Sequence, residues 1–509
     1  MTGIEIAQPL PRAKSQEPGA NIARTSGPVF ARSLYNSAPD NRPLTAEDFR
    51  GRRIHFMGAG GIGVSALMEL CASRGALVSG CDCSSGGQVA ALRAKGLRIE
   101  IGHCASHVAE CDELVHTAAV DDANLELAAA LRKGIAVSPR MHMLGRLARG
   151  ARAIGVTGAH GKTTTTWLIA NMLLEAGRDP SVILGGVVQR MGGNVRIGSG
   201  REFVAEVDES DNRLHEIVPS IPVLTNIDDD HLDHYGSVDA IEAAAEEFMA
   251  SAESRDPLSV LVGCGDDLRV RRVLANASRV TRRPVLAYGF SPSNDVCAVH
   301  LSSQGLGWRF DALGPFGYWQ DLHLEMPGEH NVLNALAAIC VGWHLGLEQD
   351  VIRRGLSSAE RVGRRFEIKG VVRGVRVVDD YGHHPTEIAA TIAAARASTQ
   401  RRLCMIFQPH RYTRTAQLME QFATCFAGAD KLILMPIYAA SEPPIPGVDH
   451  GALAKAIQAC GQSNLNVVTV SSRAEAVAAA ATWATDGDTV ITQGAGDVTR
   501  AADELVSRL

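Results

Sequence analysis

Thr157-Gly158-Ala159-His160-Gly161-Lys162-Thr163-Thr164 lies between an apolar run, Ala153 to Val156, and a helix-patterned stretch, Thr164 to Glu175, that stops at Gly177. Strand, glycine-rich turn and helix in that order form the unit from which α/β domains with parallel sheets are built. The glycines let backbone N–H groups approach phosphate oxygens, and Lys162 neutralises their charge. A threonine hydroxyl is suited to Mg²⁺, and the helix N-terminus adds its dipole. The spacing is GxxGKT rather than GxxxxGKT, so the generic phosphate-loop pattern is not strictly met. A surface turn with a chance lysine is the competing reading, and the placement between strand and helix weighs against it.

Upstream, the same rhythm occurs once more. Arg53 to Met57 reads as a strand, Gly58-Ala59-Gly60-Gly61-Ile62-Gly63 as a turn, and the residues through Leu67, Leu70 and Cys71 as a helix ending near Gly75. A strand from Ala76 to Gly80 ends beside Asp82, about 20 residues beyond the GxGxxG glycines Gly58, Gly60 and Gly63, the spacing of a dinucleotide fingerprint. Alone that motif is weak, because glycines also serve a plain tight βα turn. Leu114 to His116 and Gly134 to Val137 continue the alternation, which makes residues 51–150 an open-sheeted α/β domain.

Downstream, strands are expected at Phe203 to Val207, Pro222 to Asn226 and Val260 to Gly263, before a less regular stretch reaching Glu325, all within a second domain, 151–357. The alternation restarts near Glu367, with strands at Val375 to Asp379, Leu403 to Gln408, Lys431 to Met435 and Thr489 to Gln493 in a third domain, 358–509. No unit of 20 to 50 residues recurs, so these are unlike domains rather than a repeat. The length of 509 residues agrees with about three domains.

Composition narrows the function classes. Hydrophobic residues at 46% and charged residues at 21% describe an ordinary folded chain. Lys plus Arg at 50 against Asp plus Glu at 56 leaves a formal charge of -6, which offers no field for a polyanion and makes nucleic acid an unlikely main partner. Eleven cysteines without a CxxC pair suit a reducing, cytoplasmic setting. The longest apolar stretch, Leu333 to Leu347, is interrupted by Asn334 and His344 and is too short to span a bilayer. Residues 1–50 carry six prolines and no continuous apolar segment, which reads as a flexible extension rather than a secretory signal.

Several polar clusters fall where open α/β sheets bind ligands, at strand C-termini. Phe203 to Asp211 ends in acids, and a two-residue period puts Glu206 and Asp208 on one side. Pro222 to Asn226 opens into Asp228-Asp229-Asp230-His231-Leu232-Asp233-His234. Beside a triphosphate such oxygens and imidazoles are natural Mg²⁺ ligands, whereas elsewhere they would be a solvated acidic turn. Asn331 is placed either to meet a base edge or to cap the following helix. Arg361 to Phe366 brings guanidinium groups to the domain boundary, as a hinge or phosphate clamp needs. Asp379 to Pro385 and Gln408 to Thr415 each follow a strand.

In order along the chain, GxGGxG, TGxHGKTTT, EVDESD, TNIDDDHLDHYG, GEHNVLNALAA, RRFE, DDYGHHPTE, FQPHRYTRT, PIPGVD and GAGD resemble the Mur ligase family over roughly residue 52 to the end. The resemblance implies a Rossmann-like UDP-binding domain, a central P-loop-type ATPase domain and a C-terminal Rossmann-like domain that takes the amino acid. It implies an ATP-dependent ligase of peptidoglycan synthesis that joins L-alanine to the carboxylate of UDP-N-acetylmuramate through an acyl phosphate, with Mg²⁺. By the same resemblance Gly158, Ala159, His160, Gly161, Lys162, Thr163 and Thr164 hold ATP, and Thr163 with Glu206 holds one Mg²⁺. His231 holds a second metal, Asn331 meets adenine, Arg364 meets the γ-phosphate, and Asp380 serves the ATP ribose or domain closure. Gly58, Gly60, Gly61, Gly63 and Asp82 fall to the UDP end, and His383, His410, Arg411 and Arg414 to the amino acid. Gly363 stands where the family often has arginine, and the first loop reads GAGGIGVSA rather than GIGGSGMSG. A relative using another amine or a recycled peptide is one alternative. An NAD-dependent oxidoreductase is another, but it gives no reason for Lys162, Glu206 and His231.

Overall fold

The computed structural model describes residues 48–509 except 122, 212, 231, 253–255, 400, 441 and 462–463. The expected extension at residues 1–50 falls almost wholly outside the described residues, and His231 lies outside them. Among the described residues no helix is long and apolar enough to cross a membrane.

The chain builds three sheets in succession. The first contains β1 (Arg53–Met57), β2 (Leu77–Asp82), β3 (Arg98–Ile101), β4 (Glu113–His116) and β5 (Ala136–Pro139), all parallel, in the order β3-β2-β1-β4-β5. Strand order departs in opposite directions on the two sides of β1, so the crevice beyond its C-terminal end is the topological switch point, and the turn Gly58 to Gly63 occupies it.

The second sheet repeats that logic on a larger scale. Its strands are β6 (Arg152–Thr157), β7 (Ser181–Val188), β8 (Gly193–Arg196), β9 (Glu202–Glu206), β10 (Ile221–Leu224), β11 (Leu261–Cys264), β12 (Val285–Gly289), β13 (Val296–Gln304), β14 (Gly307–Gly314) and β15 (Gly317–Leu324). They lie in the order β15-β14-β13-β12-β11-β10-β6-β9-β7-β8, with β6 parallel to both neighbours. Thr157 to Thr164 thus sits at a second switch point. The stretch expected to be irregular before Glu325 instead holds the helix Leu268–Thr281, the parallel strand β12 and the antiparallel meander β13–β15. One face of the meander meets solvent, so its residues alternate between buried and exposed and lack the continuous apolar run of a doubly covered strand.

The third sheet holds β16 (Glu367–Val372), β17 (Val375–Asp380), β18 (Leu403–Phe407), β19 (Lys431–Leu434), β20 (Asn466–Thr469) and β21 (Thr489–Gln493), in the order β16-β17-β21-β18-β19-β20. Only β16 pairs antiparallel.

The cores join these lobes unequally. One buried cluster runs from Phe56, Leu67 and Met141 of the first lobe through Phe203 and Phe248 of the second, so the two share a continuous apolar seam. The opposite face of the second sheet buries Trp167 and Leu168 with Leu336 and Ile339 of the helix Glu329–His344, whose apolar character on every side follows from burial on every side. The buried clusters of the third lobe, among the described residues, draw only on Phe366 and later residues, with half-buried Leu306 packed against one of them.

Candidate functional site

At the second switch point the backbone is shaped for close approach. Gly158 has φ +125°, and a Cβ there would meet Thr225 Oγ1 at 2.3 Å; Gly161 has φ +81°, and a Cβ there would meet Asn334 Oδ1 at 2.4 Å. Side chains could not occupy either position without displacing the neighbour. The turn is pinned from β10's end, where Asn226 Oδ1 accepts from His160 N at 2.8 Å and Thr225 Oγ1 donates to His160 O at 2.7 Å. Lys162 begins the helix Lys162–Glu175, whose first N–H groups face the turn.

Lys162 Nζ donates to Gly158 O at 2.7 Å, to Ala159 O at 3.1 Å and to Glu209 Oε1 at 2.8 Å. Burial pushes the ammonium down, but the charges of Glu209, Asp208 and Glu206 outweigh it and hold its pKa above the ordinary value. The acids expected on one side of a strand do act on one cation, although β9 ends at Glu206 and Asp208 lies beyond it. Glu206 Oε2 accepts from Gly185 N at 2.7 Å. Asp208 pairs with Arg140 at 2.8 Å, an arginine from the helix Arg140–Ala148 of the first lobe.

The same turn forms one wall of a cavity of about 320 Å³ between the second and third lobes. His160, Gly161, Thr163 and Thr164 line it from one side, Tyr288, His330 and Asn331 from another, and Arg365, Asp380 and Glu387 from the third lobe. His160 Nε2 meets Asp228 Oδ2 at 2.8 Å, and its Nδ1 lies 3.4 Å from Glu387 Oε1. Burial alone would push this imidazole down; Asp228 and Glu387 reverse the effect and raise its pKa to about 9. Thr386 Oγ1 also donates to Asp228 Oδ2, at 2.9 Å. Desolvation by the surrounding groups, offset only in part by the charge of Glu387, pushes His330 down to about 4.

Asn331 does not cap its helix: Gly328 is the N-cap residue, while Asn331 Nδ2 donates to Pro327 O at 2.6 Å and its Oδ1 accepts from Asn334 at 3.0 Å. Asp380 accepts from Phe366 N and Gly382 N, each at 2.8 Å, and from Gln493 at 2.9 Å, which ties the boundary segment to the third sheet. Arg364 turns away from the cavity. Its guanidinium donates to Asp379 at 3.2 Å and to Gly494 O at 2.7 Å and stacks on the Tyr381 ring at 4.8 Å. Its neighbour Arg365 lines the cavity instead, 3.6 Å from Glu387.

In the first lobe a Cβ on Gly58 would meet Thr117 Cγ2 at 2.7 Å. Gly60 N donates to Asp82 Oδ2 at 2.8 Å, and Ser84 N to Asp82 Oδ1 at 3.0 Å, so Asp82 braces the turn. Gly61 is the N-cap residue of the helix Ile62–Ser73. A Cβ on Gly63 would come within 2.8 Å of Arg140 Nη1, so Arg140 spans from this turn to the acids around Lys162.

In the third lobe His383 and His410 meet edge to face at 5.5 Å, and His410 stacks on Tyr438 at 5.6 Å. Burial and neighbouring charge push them down to about 3 and about 2, so both rings are neutral at pH 7. Arg414 contacts His410 at 3.4 Å and pairs at 2.7 Å with Asp230 of the second lobe, both side chains buried. Arg411 N donates to Tyr438 O at 2.9 Å. The four residues therefore gather on one side of the second–third junction. Sequence reasoning gave no role to Arg140, Glu209 or Glu387, and none to Arg365 beyond its place in the guanidinium cluster. The last three sit inside motifs it quoted, beside residues it singled out, while Arg140 had no motif to mark it.

Family models match the chain in three consecutive pieces: Mur ligase family, catalytic domain, over residues 53–152; Mur ligase middle domain over 156–342; and Mur ligase, glutamate ligase domain, over 364–496. The chain belongs to the Mur ligase family. It is 43% identical over 470 residues to a UDP-N-acetylmuramate–L-alanine ligase of Solibacter usitatus, covering 91% of this chain and 96% of that one. The corresponding protein of Anaeromyxobacter dehalogenans is 42% identical over 464 residues, covering 91% and 99%. Among solved structures, UDP-N-acetylmuramate-alanine ligase from Thermotoga maritima superposes with a TM-score of 0.76 at 27% identity, over 90% of this chain and 98% of that one. The three-sheet α/β architecture is that of the Mur ligase fold.

Proposed function

We propose that this Mur ligase is ATP-dependent and joins L-alanine to the carboxylate of UDP-N-acetylmuramate, giving UDP-N-acetylmuramoyl-L-alanine, ADP and phosphate. The reading places the enzyme in cytoplasmic peptidoglycan synthesis. The observation that carries it is Lys162, ringed by Glu206, Asp208 and Glu209 in a glycine turn at a helix N-terminus, a turn whose His160, Gly161, Thr163 and Thr164 wall a cavity where two lobes meet. The relatives named above share nearly the whole length of the chain.

On this reading the chain works as three domains, 51–150, 151–357 and 358–509, for the UDP end, ATP and the amino acid respectively. The substrate carboxylate takes the γ-phosphoryl group to become an acyl phosphate, and the alanine amine displaces phosphate from that carbonyl. Phosphoryl transfer needs positioning and charge neutralisation more than covalent help. Lys162 and the turn Gly158 to Thr164 supply both, and the strain-free approach at Gly158 and Gly161 fits a phosphate chain. The cavity between His330, Asn331 and Tyr288 fits a purine, with Asp380 at its third-lobe side. We assign the arginine nearest the phosphates to Arg365, with Arg364 holding the boundary segment against Asp379 and Gly494. Thr163, Glu206 and His231 would hold Mg²⁺, whose charge offsets that of the phosphates. Gly58, Gly60, Gly61, Gly63 and Asp82 bind the UDP end, and His383, His410, Arg411 and Arg414 grip the amino acid, an arginine pairing with its carboxylate.

The test is phosphate release with UDP-N-acetylmuramate and ATP against L-alanine, glycine, L-serine and a peptide amine, with mass spectrometry of the UDP-sugar product. Alanine-dependent release and a product heavier by one alanyl residue are expected. Turnover only with the peptide amine would reassign the acceptor, and no ATP consumption with any of them would remove the ligase reading.

A further inference from the structure

A second cluster of ligating side chains lies away from the nucleotide cavity, inside the first lobe. His55 from β1, Cys81 from β2, His107 from the segment between β3 and β4 and Glu126 from the first turn of the helix Leu125–Lys133 place one ligand atom each within 4.8 Å of one another. His55 and Glu126 are buried to 2% and 0% side-chain exposure. Glu126 Oε2 lies 3.2 Å from both His55 Nε2 and Cys81 Sγ, and its Oε1 lies 2.8 Å from His107 Nδ1. We propose that these four residues bind one Zn²⁺ ion as a structural site.

The donor set supports this on three counts. Two imidazoles, a thiolate and a carboxylate are the ligand types zinc prefers, and tetrahedral zinc with ligands at about 2.0–2.3 Å sets those atoms about 3.3–3.8 Å apart. The separations from Glu126 to His55, Cys81 and His107, 2.8–3.2 Å, fall about 0.1–0.6 Å short of that, so a small outward shift of the carboxylate opens the site. Charge balances too, since a thiolate and a carboxylate neutralise Zn²⁺ while both histidines stay neutral, and the buried cluster carries no net charge.

Outer groups orient the ligands. Ser79 Oγ lies 2.8 Å from His55 Nδ1, and a proton on that nitrogen leaves Nε2 with its lone pair toward the cluster. Cys104 N donates to Glu126 Oε1 at 3.0 Å. His103, 23% exposed, lies 3.4 Å from Cys81 Sγ and 3.5 Å from the exposed Cys83, marking a path from solvent. Binding releases the Cys81 thiol proton and staples two strands, a loop and a helix that lie far apart in sequence. Gly58 N and Ala59 N both donate to Cys81 O at 3.0 Å, so the site braces the strand end beneath the first glycine turn.

Full-length protein, freed of any affinity tag, is dialysed against metal-free buffer and its zinc measured by plasma mass spectrometry. About one zinc per chain is expected, falling at least about ten-fold in Cys81→Ser and His107→Gln. Replacement by Co²⁺ should give tetrahedral d–d bands and a thiolate-to-cobalt charge-transfer band, the latter absent in Cys81→Ser. Circular dichroism checks that the variants fold. If they do not, the cobalt spectrum of the unmodified chain decides alone. A chain that retains no more zinc than the variants, or takes up Co²⁺ without a thiolate band, would show that the cluster holds protons rather than metal.

Discussion

At the scale of single residues, Lys162 of the glycine turn that walls the cavity and Arg365 that lines it are two half-buried cations, and each is matched by carboxylates from a different direction. Lys162 is held by Glu206, Asp208 and Glu209, Arg365 by Glu387. Removing one preorganised charge from a phosphoryl-transfer site typically costs about 10²- to 10³-fold in rate. Lys162→Ala is therefore expected to lower alanine-dependent phosphate release by at least that factor while the far-ultraviolet circular dichroism is unchanged; full activity would refute its assigned role. The two adjacent arginines separate by the same assay. Arg365→Lys should lower kcat, because an ammonium cannot reproduce the planar fork, whereas Arg364→Lys should act mainly on stability, its guanidinium being spent on Asp379, Gly494 and the Tyr381 ring. Equal kcat losses would return the phosphate contact to Arg364. The sequence carried both arginines in one motif, but which of them turns inward depends on the positive φ of Arg364, +62°, which no pattern of side chains discloses.

Single elements show where sequence reading succeeds and where it stops. The central parallel strands were legible because burial on both faces makes each a short apolar run, and the observed ends of β1 and β21 coincide with those read from the sequence, whereas the half-exposed edge strands β3 and β20, and β7 and β12, went unread. The meander β13–β15 was not, because half-exposed strands interleave polar residues. The zinc cluster escaped notice because its ligands come from four separate stretches and meet only once the sheet has formed. The helix Pro385–Ser398 combines both cases: the motif HHPTE announces its start, but Glu387 has a second task that only the fold reveals. It accepts from His383 N at 2.9 Å and His384 N at 3.2 Å in a capping box, and the same carboxylate faces His160 and Arg365 across the junction. Glu387→Gln keeps an acceptor for the cap and loses the charge, so it should weaken the junction and leave the helix intact. Glu387→Ala should lose about 1 kcal/mol more in denaturant unfolding as the cap also goes. Indistinguishable stabilities for the two variants would mean that the cap contributes nothing.

Across the whole molecule, the first and second lobes are joined by an apolar seam with the pairs Arg140–Asp208 and His142–Glu216 beside it, whereas the third meets the second largely through ion pairs and hydrogen bonds: Arg414 with Asp230, Thr386 with Asp228, and His160 with Glu387. Apolar burial is indifferent to pH, but the polar second junction is not. The His160 imidazolium faces the carboxylates of Asp228 and Glu387, both held well below the usual range, together with the Arg365 cation and with His384, which burial pushes down. Its pKa is raised from 6.5 to about 9, so the stabilisation it provides is fully present below 6.5 and is lost as pH rises through about 9. The difference between those values amounts to roughly 3 kcal/mol when the whole shift is realised. Other groups also titrate in that window, so the measurement that isolates His160 is the difference in unfolding free energy between the native chain and His160→Gln, followed from pH 6 to pH 10. That difference should be largest at the acid end and should shrink steadily toward pH 10. A difference that stays constant across the range would show that the imidazolium does not hold the second and third lobes together.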